Sequence, residues 1–159
     1  MKPAIQRVSD ALASLGLAPP ITELAASTRT AVEAAAAVGT SVPRIVKSLV
    51  FLADDSPILV LVSGSNRVDT AKLQRMLGTP IARADADRVR LETGFAIGGV
   101  PPLGHPRPIP VYVDEDLLQF DEVWAAAGTP FAVFPIDPRR LVEAAGGKVV
   151  DVKESVAPR

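Results

Sequence analysis

Residues 45–63 read IVKSLVFLADDSPILVLVS. Two apolar runs, IVKSLVFLA (45–53) and ILVLVS (58–63), flank the turn-forming residues DDSP. Short runs of β-branched and bulky residues around such a cluster read as the two strands of a hairpin. Both runs are apolar on both faces, so the hairpin belongs in the middle of a covered sheet. Along the first strand Ile45, Lys47, Leu49, Phe51 and Ala53 share one face, and Val46, Ser48, Val50 and Leu52 share the other. Lys47 is the one charge in that strand. Its ammonium must be desolvated, paired or pointed into a cavity, unless the stem lies along the sheet and the head reaches water.

Outward from the hairpin, helices and strands mix without strict alternation. Ile5, Val8, Leu12 and Leu15 recur at helical spacing and stop at Gly16. A short strand is expected around ITEL. Thr30 and Glu33 form a capping-box pattern before AAAAV, and Gly39 ends that helix. Asp69 caps TAKLQRML and Asp85 caps ADRVRLET, each followed by glycine. PVYVD (110–114) reads as a strand, DEVWAAAG as a helix, PFAVFPI (130–136) as a strand, PRRLVEAAGG as a helix and KVVDV as a closing strand. Trp124, at helical spacing from Phe120, is expected in the core rather than as a stacking platform. The expected fold is one α+β domain over residues 1–159, with a mixed, strongly curved β-sheet and flanking helices.

Composition removes several classes of chemistry. A chain of 159 residues can bury roughly 70% of its unfolded surface. With no cysteine, thiolate nucleophiles, disulfides and cysteine-rich zinc sites are excluded. A single histidine argues against a histidine metal cluster, so no metal and no cofactor is expected. No apolar run approaches the roughly 20 residues of a membrane helix, and Arg7 and Asp10 interrupt the N-terminal segment, which fits a cytoplasmic address. Net charge is −1, but residues 67–90 carry six basic against three acidic residues, and six against ten follow from residue 91. That asymmetry permits a basic patch for a polyanion, and equally a solvated helical surface.

A second stretch, TGFAIGGVPPLGHP (93–106), holds four glycines, three prolines and the chain's one histidine. Gly98 and Gly99 permit backbone angles closed to other residues and let a ligand approach the main chain. Val100 precedes Pro101, and Pro101 precedes Pro102, so both are biased to extended backbone. Prolines lack an amide hydrogen, which leaves Gly98, Gly99, Val100 and Leu103 as donors. A stiff loop of free amides suits an oxyanion or a phosphate. Taken alone, the pattern reads better as a structural turn. His105 is a turn or wall residue by type, with substrate contact as the alternative. Ser48, Ser63 and Asn66 are polar groups of the kind that line a pocket or cap a strand end, and Arg67 is placed to touch phosphate. Asp114, Glu115 and Asp116 read as first-turn helix charges rather than metal ligands.

Lysine on the strand IVKSLVF followed about fifty residues later by TGFAIGGVPPLGH resembles the YbaK/prolyl-tRNA-synthetase-associated editing-domain family, in its free-standing bacterial branch. STRTAVEAAAAVG, LVSGSNRVDTAKL and DEDLLQFDEVWAAAGTPFAVF extend the resemblance over essentially the whole chain. It implies hydrolysis of the ester joining a wrong amino acid to the terminal adenosine of a tRNA, mainly proline tRNA. The family lysine falls on Lys47, and the Gly-x-x-x-Pro loop on Gly98 to Pro102. The expected catalytic set is therefore Lys47 with Gly98, Gly99 and Val100. Pro101, Pro102, His105, Ser48, Ser63, Asn66 and Arg67 are expected to bind substrate. Aminoacyl-tRNA is the implied partner, with prolyl-tRNA synthetase as a candidate second one. The rivals are a tRNA- or nucleotide-binding module without chemistry, and a hydrolase of free aminoacyl esters.

Overall fold

A computed structural model describes residues 2–26 and 30–155. In chain order the elements are α1 (Pro3–Ser14), β1 (Thr22–Glu23), α2 (Ala31–Val38), β2 (Val46–Ala53), β3 (Ser56–Ser63), α3 (Thr70–Leu77), β4 (Ile81–Arg83), α4 (Ala86–Thr93), β5 (Val111–Asp114), β6 (Val123–Ala126), β7 (Ala132–Ile136), α5 (Pro138–Ala145) and β8 (Gly147–Val150). Short 3-10 turns cover Val42–Arg44 and Glu115–Gln119.

The hairpin read from residues 45–63 is the centre of the fold. β2 and β3 pair antiparallel from Val46↔Ser63 to Ala53↔Ser56, so the connection shrinks to Asp54 and Asp55. Both have positive φ, 47° and 67°, as a type I′ turn demands. Arg88 on α4 clamps this turn, bonding the carboxylate and the carbonyl of Asp55. β4 adds antiparallel on one side, and β5 and β8 add in parallel on the other, giving the order β4-β2-β3-β5-β8.

The α+β class and the mixed sheet hold, but the sheet is not one curved surface. β1, β7 and β6 form a separate three-stranded antiparallel sheet, linked to the first by a single parallel bridge between Ile45 and Trp124. The two sheets are not closed into a barrel. Residues 123–126 of the expected helix DEVWAAAG form strand β6, with Trp124 opposite Pro135 and Ala125 opposite Phe134. Alanine's helix preference, a few tenths of a kcal/mol per residue, yields here to burial between strands. Ala125 and Ala127 are 1% and 0% exposed.

The alternation of faces on β2 separates two cores. Val46 and Val50 join Leu59, Leu61, Val113, Phe134 and α1 in the larger one, which both sheets share. Leu49, Phe51 and Ala53 face Val60 and Leu73 of the smaller one, under α3. Helix ends follow the sequence signals. Thr30 and Glu33 make a reciprocal capping box on α2, and Asp69 and Asp85 cap α3 and α4.

Candidate functional site

β4 reaches β2 only at Phe51, Leu52 and Ala53, and the Ile45–Trp124 bridge closes the other end. Between these points the edge of β2 around Ser48 pairs with no described strand, and a cavity of about 450 Å³ lies against residues 46–50. The first residues of α2 form one wall, Trp124, Ala125 and Ala126 of β6 another, and Arg83 and Ala84 a third. Ile97, Gly98 and Val100 close it from the glycine–proline loop. The two segments singled out in the sequence therefore meet at one cavity.

Lys47 lines the cavity and its Nζ donates to the backbone carbonyl of Asn66. Burial, and then the positive charges of Arg67 and Arg83, hold its ammonium below the ordinary lysine range, while Asp114 pulls the other way. The residue as a whole is half-buried. Ser48, on the opposite face of β2, also lines the cavity, and its buried Oγ has no hydrogen-bond partner among the described residues. Val50 O accepts from Ala84 N on the β4 edge. The strand's period of two puts the main-chain N–H and C=O of Ser48 on that same edge, where β4 no longer runs.

The loop is held from beneath. Phe95, Val100 and Leu103 are buried in the larger core, and Arg7 of α1 lies 4.6 Å over the Phe95 ring. Gly98 has φ +88°, the value the third position of a type II turn requires, and Gly99 N closes that turn on Ala96 O at 2.9 Å. A Cβ on Gly99 would stand 2.7 Å from the Thr129 backbone. Gly99 thus serves packing and does not line the cavity. Gly98 and Val100 do line it, and their amides donate to no described residue.

The other candidates lie around the cavity rather than on its lining. Pro101 and Pro102 are buried behind the loop. His105 pairs through Nε2 with Pro101 O at 2.9 Å, edge-on to Phe95, and burial lowers its pKa. Its ring ties the loop to itself. Ser63 donates its hydroxyl to Pro43 O at 2.7 Å and its amide to Asp114. Asn66 spends both carboxamide protons on Asp114 and Asp116. Arg67 is exposed beside Lys47.

Sequence reasoning missed Arg83 and Trp124, which both line the cavity. Among the described residues Arg67 and Arg83 make no ion pair, whereas Lys72 and Arg88 of the same basic stretch are paired with Asp151, Asp55 and Glu92. No carboxylate or imidazole lines the cavity, and no cluster of metal-ligating side chains occurs among the described residues. No described helix is long and apolar enough to cross a membrane.

The cavity combines mostly apolar walls with the cations Lys47 and Arg83. Residues 25–144 match the sequence family described as the aminoacyl-tRNA editing domain. A crystal structure of a proposed trans-editing enzyme for prolyl tRNA synthetase is 51% identical, covers 98% of this chain and 99% of its own, and superimposes with a TM-score of 0.92. The uncharacterized protein YwhH of Bacillus subtilis is 34% identical over 83% of this chain and 85% of its own. Proline–tRNA ligase of Lactobacillus gasseri is 42% identical over 62 residues, 38% of this chain but only 11% of the ligase. The chain belongs to the aminoacyl-tRNA editing domain family.

Proposed function

We propose that the protein is a trans-acting aminoacyl-tRNA deacylase, hydrolysing the ester between a small misacylated amino acid and the terminal adenosine of tRNA. Proline tRNA is the expected carrier, because the related proteins include a proposed trans-editing enzyme for prolyl tRNA synthetase and several proline–tRNA ligases. The observation that carries the reading is the presence of Lys47, Gly98 and Val100 on one cavity whose remaining walls are mostly apolar.

Water adds to the ester carbonyl carbon, the carbonyl oxygen gains negative charge, and the bond to the ribose oxygen breaks as that oxygen takes a proton. The amides of Gly98 and Val100 are donors of the kind that stabilise such an oxyanion, an effect worth about 3 kcal/mol per donor. Lys47 supplies positive charge to the oxyanion or to the terminal phosphate, with Arg67 and Arg83 beside it. With no carboxylate or imidazole on the described lining, the neighbouring ribose hydroxyl is assigned the task of orienting water. An apolar cavity excludes larger acyl groups by contact, which selects alanine, serine, cysteine, threonine or 2-aminobutyrate over bulkier residues.

The test is a panel of proline tRNAs carrying these five amino acids, together with a 2′-deoxy terminal adenosine version of each. Hydrolysis of at least one natural ester, lost on the 2′-deoxy carrier, is expected. Binding of all five without turnover would replace the enzyme with a binding module. Equal rates on free aminoacyl-adenosine would replace the tRNA deacylase with a general ester hydrolase.

A further inference from the structure

Asn66 was expected to touch substrate, yet both N–H groups of its side chain are bonded elsewhere. One N–H of its carboxamide goes to Asp114 Oδ2 at 2.9 Å and the other to Asp116 Oδ2 at 2.8 Å. Asp114 is fully buried and also accepts from Ser63 N and Asp116 N, each at 3.0 Å. Asp116 in turn receives Lys153 Nζ at 2.8 Å on Oδ1. Lys153 sits on an extended segment after β8 that pairs with the residues following Asn66. Asp69 N bonds Val152 O, Glu154 N bonds Arg67 O, and Val68 bridges Lys153. What this assembly presents to Lys47 is the Asn66 carbonyl that holds its ammonium.

We infer that Asn66, Asp114, Asp116 and Lys153 are positioning residues for Lys47, a hydrogen-bonded seat that fixes the catalytic ammonium from behind the cavity. The inference rests on the proposed role of Lys47. None of the four lines the cavity, so each acts through the lysine rather than on substrate. A surface ion pair such as Lys153–Asp116 adds little by itself, about 0–1 kcal/mol. Its consequence here is geometric, because the Asp116 carboxylate accepts from both Asn66 Nδ2 and Lys153 Nζ and so ties the Asn66 side chain to the segment after β8. The charges facing Lys47 are Arg67 after β3, Arg83 on β4 and Asp114 at the end of β5. Two of them oppose its protonation, and the buried carboxylate and the Asn66 carbonyl favour it. A loosened seat therefore both misplaces the ammonium and makes its proton easier to lose.

Lys153→Met, Asp116→Asn and Asp114→Asn test this, with Lys153→Arg as the conservative rescue and Lys47→Ala as the reference. Single-turnover deacylation is read from neutral to alkaline pH, alongside the melting temperature of each variant. Lys153→Met and Asp116→Asn should fold and lose roughly 10- to 100-fold in rate, the scale of a misplaced catalytic group. The alkaline fall in rate should move to lower pH in both, and Lys153→Arg should restore rate and profile. Asp114→Asn should show the same shift wherever it folds. Wild-type rate and profile in folded Lys153→Met and Asp116→Asn overturns the inference, as does a lowered melting temperature with neither rate nor profile changed. If Lys47→Ala is itself fully active, the proposed role of Lys47 is wrong. If Lys47→Ala is inactive and the seat variants are normal, only the seat is wrong.

Discussion

The Lys47 ammonium donates to the main-chain carbonyl of Asn66, nineteen residues further along the chain. That bond joins the central strand to the turn that leaves its hairpin partner, and it keeps a half-buried cation beside the cavity. A charge so placed is costly unless it is used.

The cost makes the site sensitive to alkali. Burial, Arg67 and Arg83 lower the Lys47 pKa from 10.5 against the pull of Asp114, so a rate that needs the ammonium should fall with a midpoint below 10.5. The folded chain gives up this proton at lower pH than the unfolded chain. Charging Lys47 therefore opposes folding, and that penalty is relieved as pH rises towards 10.5. Single-turnover rates corrected for spontaneous ester hydrolysis read the first effect. Urea midpoints of wild type against Lys47→Met, which should shift in favour of wild type as pH rises, read the second.

Ser48 should separate stability from turnover. Its Oγ is buried with no partner among the described residues, so Ser48→Ala removes an unsatisfied group and should leave the urea midpoint unchanged or raised. Deacylation should fall if substrate supplies the missing partner. A destabilised variant with wild-type rate would contradict both expectations.

The two loop glycines should fail differently. Gly99→Ala places a methyl 2.7 Å from the Thr129 backbone, which has no side chain to swing away, and should cost about 1–3 kcal/mol together with most activity. Gly98→Ala must hold φ +88°, a strain of about 1–2 kcal/mol. Denaturation midpoints measured side by side should rank Gly99→Ala at or below Gly98→Ala.

His105 should register in acid stability rather than in proton transfer. Burial lowers its pKa from 6.5, with the Pro101 bond opposing. The unfolded chain therefore takes up this proton first, and stability present above 6.5 is lost as pH falls from there to the folded value. His105→Gln should show a smaller loss between pH 7.5 and 5. An unchanged slope would remove His105 from the account.

What the sequence disclosed, and what it hid, follows the range of the interactions. The capping box of Thr30 and Glu33, the Asp69 and Asp85 caps and the hairpin at Asp54–Asp55 are set by neighbours in the chain, and each is where its residues place it. β6 was hidden because VWAAAG carries helix-forming alanines, and only pairing with β7 across the 127–131 turn makes them a strand. β4 was hidden because three residues, IAR, show no periodicity. Those two strands supply Trp124 and Arg83, the cavity walls that went unread, so the gaps in fold and site are the same gaps. The seat of Lys47 was also out of reach, since Asp116 and Lys153 meet Asn66 across 50 and 87 positions of sequence, the latter only through Asp116. Residues 123–126, VWAA, are apolar throughout, and the alternation of half-buried Trp124 and Ala126 with buried Val123 and Ala125 exists only in the fold.

The most direct measurement is single-turnover deacylation of alanyl-proline tRNA by wild type and Lys47→Met, with tRNA binding and melting temperature determined for both. With fold and tRNA affinity retained, the rate should drop at least about 100-fold, the loss typical of removing one charge-stabilising group. A Lys47→Met protein that folds, binds and hydrolyses the ester at the wild-type rate would contradict the account.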